Sequence, residues 1–448
     1  MNHYIKVLAA LATTSVLALG AGAAVAQARD VTISIWGVHG PTENYRIDAI
    51  KLAVPLLEAE YSVRGEELNI TIDAQPFTQW QEFNQAVTLA AEAGAAPGII
   101  VAGHGSIAPW SQSGLIVPIE DYVDLDSWPL NNIYPNLIEI ASFQGRVWGI
   151  PQDAESRPFF FWRDHMKAIG YSDADLEGLA ARVQAGDYTL ANVLTDAKAM
   201  QDAGVVEEGF GFWPRPTKGG DYWQFYMSFG GEMEDGGRLL LDKAAMTQFY
   251  QFFVDAVELG VTRKNQIGTT WGEWHSVLTS GRAGLWHGGT WQVAEWAGDP
   301  YNLDFFGEVG YALIPGGGDN GRANTLTGPL VYLVTDQGDD TVIAAELITI
   351  ASEPRINALH AIKSAHLGVS AEMVNIPLYG GDRWAREAAT VLLPFATAEP
   401  NNVNFGQYFE AMFTGLQAAW TGQKTVAEAI ADLETELSAS MGDAIVIR

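Results

Sequence analysis

The chain has 448 residues, 48% of them hydrophobic, and its 54 Asp and Glu against 25 Lys and Arg give a formal net charge of −29. This acidity argues against nucleic acid and anionic lipid as partners, because both bind basic surfaces. The chain contains no cysteine, so neither disulfides nor an acylated cysteine are expected to stabilise it or to tether it to a membrane. Its length is more typical of two domains than of a single core.

The N-terminal segment indicates export from the cytoplasm. Lys6 precedes an apolar run from Val7 to Val25, and Ala-x-Ala patterns stand at 24–26 and 26–28. This order is typical of a secretory signal peptide over residues 1–28, and we expect cleavage after Ala28. The alternative, a signal-anchor helix, is disfavoured by the Ala- and Gly-rich end of the run. The sequence therefore predicts a protein of a Gram-negative periplasm that is not lipid-anchored.

Strands and helices alternate in the first part of the chain. Strands are predicted over Val31–Trp36, Leu68–Ile72 and Ile99–Ala102, and each is followed by a helical pattern. This βαβαβα order predicts a largely parallel sheet with helices on both faces. Ligands of such sheets bind beyond the carboxyl ends of the strands. In this chain those ends are 37–40, 75–80 and 103–106.

The segment Gly145–Pro151 is a short strand that begins at a tight turn and ends at a proline. An extended polar stretch then leads into the aromatic strand Phe159–Trp162. This pattern is typical of a chain that passes from one domain into another, with an ordinary hairpin as the alternative. The predicted elements that follow are helices near 189–203, 220–230, 243–260 and 271–280 and strands within 282–291 and 309–315.

The last part of the chain repeats the character of the first. A strand over Pro329–Thr335 and a helix that contains Leu347 resume the α/β pattern, so we expect the chain to return to its first domain there. The final helix starts with Thr425 and Glu428 at the spacing of a capping box, and its apolar stripe includes Leu433.

Several short segments, each weak alone, occur in a characteristic order along nearly the whole mature chain. They are Ala93–Pro97 followed by Ile99 and Ile100, Ser113–Ile119, Gly145–Pro151, Gly281–Leu285 with Gly289–Trp291, and Thr421–Ala429. With these segments the chain resembles the extracellular solute-binding proteins of carbohydrate ABC importers, the group that includes maltodextrin-binding protein.

The resemblance implies an α/β fold of the two-lobed periplasmic binding protein type, type II. In that fold each lobe is a mixed sheet flanked by helices, and a hinged cleft lies between the lobes. Residues 29–152 and 329–370 would form the N-terminal lobe, and residues 153–328 and 371–448 the C-terminal lobe. The implied function is capture of a small carbohydrate or polyol by hinge closure, and its delivery to ABC transporter permease subunits in the inner membrane. The protein is expected to be a monomer without cofactor, metal or catalysis.

Aromatic residues in loops are candidates for contact with sugar rings, whose C–H-rich faces lie against aromatic side chains. The candidates are Trp213, Trp286 beside His287, and Trp291 after a Gly-Gly turn. Core packing is the alternative for each of them. We expect at least one of these rings to touch the ligand.

Polar candidates lie at the strand ends and at the two crossovers. The resemblance places a carboxylate that binds sugar hydroxyls at Glu155, with Asp153 as its close rival, and a solvated linker acid is the alternative. A carboxylate that binds a diol would discriminate between epimers, because a misplaced hydroxyl leaves a buried group unpaired. The further candidates, chosen by position, are His39, Gln79, Trp80, His104, Ser106, Thr325 and Thr327.

Two alternatives remain open at this point. Arg215, Arg157 and Arg383 would suit an anionic sugar derivative, although surface ion pairs are the commoner fate of arginine. A secreted glycoside hydrolase or lyase would need paired carboxylates, and the sequence has neither a Gly-x-Ser-x-Gly nor a His-Glu-x-x-His motif. His360 and His366 are six residues apart, which is wrong for one helical face and argues against a metal pair.

Overall fold

The computed structural model describes residues 28–38, 45–318 and 321–448. The signal peptide expected over residues 1–28 and the candidate ligand residue His39 therefore lie outside the described residues, apart from Ala28. None of the helices in the described part of the chain has both the length and the apolar character needed to cross a membrane.

The described residues form both helices and strands. The α-helices are Tyr45–Val63, Trp80–Glu92, Ile107–Gln112, Pro135–Ile140, Arg163–Ala168, Asp173–Glu177, Leu179–Ala185, Leu190–Asp202, Asp221–Ser228, Lys243–Glu258, Trp271–Thr279, Gln292–Ala297, Phe305–Glu308, Asp340–Ala351, Pro354–Ser364, Pro377–Gly381, Arg383–Val391, Phe405–Trp420 and Val426–Met441. The strands are Arg29–Val38, Leu68–Phe77, Ile99–Gly103, Ser142–Phe143, Arg146–Val147, Gly149–Pro151, Phe159–Trp162, Phe212–Trp213, Glu234–Asp235, Arg238–Leu241, Leu285–His287, Val309–Ala312, Thr325–Thr327, Leu330–Val334, Ala396–Ala398 and Ile445–Ile447.

The first large sheet has five strands and combines the N-terminal part of the chain with a later segment. Arg29–Val38 lies parallel to both Leu68–Phe77 and Ile99–Gly103. Leu330–Val334 then pairs antiparallel with Ile99–Gly103 on one side and with Gly149–Pro151 on the other. The return of the chain to this sheet after a long excursion is therefore confirmed. The expectation of a largely parallel sheet holds only for its first three strands.

The strand predicted over Gly145–Pro151 is divided in two by Trp148. Arg146–Val147 forms a small hairpin with Ser142–Phe143, whereas Gly149–Pro151 joins the large sheet. Gly149 permits this close approach, since a Cβ there would stand 2.7 Å from Leu333 Cδ2 and 2.8 Å from the Tyr332 carbonyl oxygen. The segment is therefore both the hairpin and the start of the first crossover.

The second large sheet has four strands, in the order Val309–Ala312, Phe159–Trp162, Leu285–His287 and Phe212–Trp213. All four residues of Phe159–Trp162 are buried, as is typical of a strand covered on both faces. The two large sheets are joined by the segment 152–158 on the way out and by 328–329 on the return. Thr325–Thr327, beside the return crossover, pairs in parallel with Ala396–Ala398.

The C-terminal helix forms as its sequence pattern predicts. The Thr425 hydroxyl accepts a hydrogen bond from the Glu428 N–H at 3.2 Å, and the Glu428 carboxylate accepts one from the Thr425 N–H at 2.8 Å. The two bonds satisfy backbone donors that the first helical turn leaves without partners. Val426–Met441 then buries the stripe that contains Leu433 and Leu437.

Candidate functional site

A cavity of about 440 Å³ lies between the strand ends of the first sheet and residues attached to the second. From the first side it is lined by Trp80, Asn84 and the turn Gly103–Ser106, which follow the second and third strands. The opposite wall carries Glu155, Arg157, Arg215, Trp291 and Glu399, and further lining residues are Arg46, Gly328, Leu330 and His366. The cavity is thus at the place that the strand order predicts for a ligand.

Two larger cavities, of about 850 and 890 Å³, lie beside the strand Ala396–Ala398. Their walls include Asn401–Asn404 in the first and Gly230–Glu234 in the second. Neither contains the ends of the parallel strands or the buried ion pairs of the smaller cavity. Position and chemistry therefore favour the smaller cavity as the candidate site, although it is not the largest.

Six of the candidate residues line this cavity. They are Trp80, His104, Ser106, Glu155, Arg215 and Trp291. They come from segments that are far apart in sequence and from both sides of the crossovers. The structure therefore brings together the loop candidates and the crossover candidates at one site.

A chain of ion pairs crosses one wall of the cavity. Arg157 contacts Glu155 with one nitrogen and Asp221 with another, at 2.7 Å, and Arg215 contacts the same oxygen of Asp221. Burial raises the pKa of Glu155 to about 7 against the opposing effect of Arg157. Burial also opposes ionisation of Asp221, but Arg215 and Arg157 outweigh it and hold the pKa of Asp221 well below its usual range.

Three candidate residues are buried next to this wall and hydrogen-bond to the backbone of its charged residues. Thr325 Oγ1 accepts a hydrogen bond from the Arg157 N–H at 2.8 Å, and Thr327 Oγ1 accepts one from the Glu155 N–H at 3.4 Å. His287 Nε2 accepts a hydrogen bond from the backbone N–H of Arg215 at 3.2 Å. All three are buried, and none lines the cavity.

Asp153 also lies outside the cavity, at the centre of a buried cluster. Its carboxylate accepts hydrogen bonds from Arg46 at 2.8 Å and from the Leu330 N–H at 3.1 Å, and it is 2.9 Å from His360 Nε2. Burial opposes ionisation of Asp153, but Arg46, His366 and His360 hold its pKa well below the usual range. Asp153 therefore fastens the first crossover to the helix Tyr45–Val63.

His360 and His366 lie close together despite a separation in sequence that does not suit one helical face. The helix Pro354–Ser364 ends between them, and Ala365 in the left-handed conformation, with φ of 53°, turns the chain back. The two rings lie 5.5 Å apart, and with Asp153 they offer three ligand atoms within 4.8 Å of one another. However, Arg46 Nη2 lies 3.2 Å from His366 Nε2 as well as 2.8 Å from Asp153. A guanidinium in contact with the same atoms opposes a metal cation there.

Two of the aromatic candidates are in the core instead of the cavity. Trp213 and Trp286 are fully buried. Trp213 stacks on Phe210 at a centroid distance of 4.9 Å, and Trp286 stacks on Phe160 at 5.7 Å. The reason is that both lie on strands of the second sheet, and side chains on both faces of that sheet are covered.

Trp80 and Trp291 are the tryptophans that line the cavity. Trp80 is 43% exposed and packs edge-on against Phe83, so much of its surface is available to a ligand. Trp291 is partly buried, with the Arg157 guanidinium 5.2 Å from its ring centre. Its indole is therefore held in place by protein groups before any ligand arrives.

His104 lies on the first side of the cavity and contacts the opposite wall. Its Nε2 lies 3.1 Å from the carbonyl oxygen of Glu399, and burial lowers its pKa to about 4, so His104 is neutral at pH 7. Gln79, by contrast, is exposed at the start of the helix Trp80–Glu92 and does not line the cavity. Its position next to a strand end was correct, but its side chain lies outside the site.

Five lining residues with polar side chains were not among the site candidates: Arg46, Asn84, Arg157, His366 and Glu399. Arg157 had been considered only as a partner for an anionic ligand, and its position two residues after Glu155 is the signal that could have included it. Glu399 directly precedes Pro400 in the loop before the helix Phe405–Trp420. No sequence pattern indicated that this loop reaches the cleft.

The sequence model of a family described as bacterial extracellular solute-binding protein matches residues 64–388, which is more than half of the chain. The chain belongs to this family. Known structures of solute-binding proteins share its two-lobed type II α/β fold. No curated protein sequence is significantly similar to the chain.

Three solved structures illustrate the likeness to other solute-binding proteins. Maltose-bound MalE3 of T. maritima is 17% identical, with a TM-score of 0.72 over 92% of this chain and 100% of that one. An ABC substrate-binding protein of Listeria monocytogenes in complex with cycloalternan is 14% identical, with a TM-score of 0.72 over 92% and 100%. An ABC transporter solute-binding protein of Thermotoga lettingae bound with α-D-tagatose is 17% identical, with a TM-score of 0.69 over 92% and 99%. At such low identity these structures establish the fold alone.

Proposed function

We propose that this solute-binding protein captures a small carbohydrate in the cavity between its two lobes and delivers it to the permease of an ABC transporter in the inner membrane. The observation that carries the proposal is the composition of the cavity. Trp80 supplies an exposed aromatic ring on one wall, and Glu155 supplies a buried carboxylate on the other. Sugars need both kinds of contact, for their C–H faces and for their hydroxyls.

The crossovers support a mechanism of hinge closure. We assign residues 29–152 and 329–370 to the N-terminal lobe and residues 153–328 and 371–448 to the C-terminal lobe. A ligand that touches both walls stabilises the closed arrangement over the open one, because its contacts are complete only there. A Kd of about 1 μM corresponds to roughly −8 kcal/mol, which a few hydrogen bonds and one stacked ring can supply.

The relatives of known structure support a carbohydrate as the ligand. The three described above were solved with maltose, cycloalternan and tagatose. We further propose that the protein acts as a periplasmic monomer without a lipid anchor and without enzymatic activity.

A thermal-shift screen of the purified protein tests this proposal. Mono-, di- and trisaccharides, polyols and sugar acids are added separately, and one or a few are expected to raise the melting temperature by mass action. Absence of a shift with every compound would contradict carbohydrate capture. Formation of a new product from a compound that binds would instead favour the alternative of a glycoside hydrolase or lyase.

A further inference from the structure

The arginines of the cavity are already paired with carboxylates of the protein. Arg157 is shared by Glu155 and Asp221, and Arg215 also contacts Asp221. Two guanidinium charges thus face two carboxylates, so an anionic ligand would add a further negative charge beside Glu399, which is costly. The arginines therefore do not favour an anionic sugar.

Glu399 differs from the other acids around the cavity. Its Oε1 is buried without a hydrogen-bond partner among the described residues, and its side chain forms no salt bridge with any of them. Burial raises the pKa of Glu399 to about 6, although Arg157 acts against this. Protein groups therefore provide this carboxylate with few favourable contacts.

The surroundings hold Glu399 in this position. Its carbonyl oxygen accepts a hydrogen bond from His104 on the opposite wall, at 3.1 Å. Gly220 leaves the space that the carboxylate occupies, since a Cβ at Gly220 would stand 2.6 Å from Glu399 Oε1. Lys218 is close enough to influence Glu399, but its ammonium is paired with the exposed Glu410.

Among the described residues, Glu399 is the carboxylate around the cavity that no guanidinium pairs. Arg46 is paired with Asp153, and Arg157 and Arg215 are paired with Glu155 and Asp221, whereas His104 is neutral at pH 7. A neutral sugar can donate a hydroxyl hydrogen bond to Glu399 but cannot balance its charge. A ligand ammonium does both, and charge-assisted hydrogen bonds are the stronger kind.

We propose that the ligand is a sugar or aminopolyol with a free basic amine, and that its ammonium group binds the carboxylate of Glu399. This inference rests on the proposed capture of a carbohydrate and narrows its class. Trp80 on the opposite wall provides an aromatic surface for the C–H face of the same ring. Glu399 thereby determines specificity, because it favours the amine over the hydroxyl, the N-acetyl group and the acid.

The test compares matched sugars by isothermal titration calorimetry at pH 7. Glucosamine, galactosamine and mannosamine, as monosaccharides and as disaccharides, are titrated beside their neutral, N-acetylated and uronic acid counterparts. We expect at least one amino sugar to bind about tenfold more tightly than its neutral and N-acetylated counterparts. Glu399→Gln, which keeps the shape and removes the charge, should abolish this preference, whereas Glu436→Gln on an exposed helix position should preserve it.

The outcomes separate this inference from the proposed function. If neutral, N-acetylated or acidic sugars bind as tightly as the amino sugars or more tightly, the specificity inference is wrong and carbohydrate capture stands. If the amine preference survives in Glu399→Gln, Glu399 is not its cause and the inference is also wrong. If no carbohydrate binds at all, both proposals fail. The comparison of sugars on the unmodified protein does not depend on how any variant folds.

Discussion

The indole ring of Trp291 lies nearly parallel to the imidazole ring of His366, with their centroids 5.8 Å apart and an angle of 14° between their planes. Trp291 follows a strand of the second sheet. His366 lies beside Asp153 and Arg46, next to the first sheet. The contact therefore joins the two walls of the cavity. It also links a residue that lines the cavity to the buried cluster at the first crossover.

Replacement of Trp291 should weaken ligand binding. Trp291→Leu removes a large, preorganised surface of the cavity, and we expect a loss of about 2 kcal/mol, or roughly 30-fold in Kd. Calorimetric titration with the sugar identified in the thermal screen measures this loss. Trp128→Leu is the control, since Trp128 is 54% exposed and lies away from the cavity. An equal effect of both variants would contradict a role of Trp291 in the site.

Removal of the charge of Glu155 should also weaken binding. In Glu155→Gln the side chain keeps its size, but it can no longer offer a charged acceptor to sugar hydroxyls, and we expect a loss of roughly 1.5–3 kcal/mol. Arg157 retains its contact with Asp221, so the wall should remain intact. Competition and titration experiments provide the affinity, and Glu120→Gln at a site remote from the cavity is the matched control. Unchanged affinity in Glu155→Gln would remove this residue from the ligand site.

Stability of the ligand-free protein should fall between about pH 5 and pH 8. The pKa values of Glu155 and Glu399 are raised by burial to about 7 and about 6 from an ordinary 4.5. Their favourable contribution is thus fully present below the unfolded-state pKa, and it is lost as pH rises through the folded-state values. We expect a decrease of roughly 1–3 kcal/mol in the free energy of unfolding.

Urea unfolding at a series of pH values measures this decrease. The double variant Glu155→Gln with Glu399→Gln should show a flatter profile over the same range. Asp153 and Asp221, whose pKa values are lowered, act in the opposite sense, since their contribution is present above an ordinary pKa of 3.8 and is lost as pH falls further. Equal slopes above pH 5 in the parent and the double variant would show that other groups titrate there.

Loss of the Asp153 carboxylate should destabilise the fold. Asp153→Ala leaves Arg46 buried without its main counter-charge, and such a change costs about 3–5 kcal/mol. Denaturant unfolding of the ligand-free protein measures it. Asp121→Ala removes a carboxylate from an exposed pair with Arg146, and we expect little change from it. Comparable stability of the two variants would contradict a role of Asp153 in attaching the first crossover to the helix Tyr45–Val63.

The sequence predicted the residues of the cavity best where their place in the order of strands and helices decides whether they reach it. The strand ends indicated that Trp80, His104 and Ser106 lie at one cavity, because the carboxyl ends of neighbouring parallel strands meet at one edge of a sheet. Glu155 followed from the crossover and from the resemblance. These predictions needed only the order of the elements and did not depend on side-chain packing.

The sequence could not separate cavity residues from core residues in the second sheet. Trp213 and Trp286 have the same local signals as Trp291, a tryptophan near glycine or proline, and only the faces covered by neighbouring helices place them in the core. Asp153 and Glu155 stand two residues apart in an irregular segment, where no strand period fixes which one faces the cavity. Glu399 enters the site from a distant loop, and no local pattern records such a contact.

Capture of a carbohydrate without its conversion is tested most directly by a calorimetric titration of the purified protein with the sugar found in the thermal screen, followed by analysis of the recovered sugar. We expect saturable binding of one sugar per protein chain and recovery of the sugar unchanged. Absence of binding by every carbohydrate tested, or recovery of a cleaved or eliminated product, would show that the proposed function is wrong.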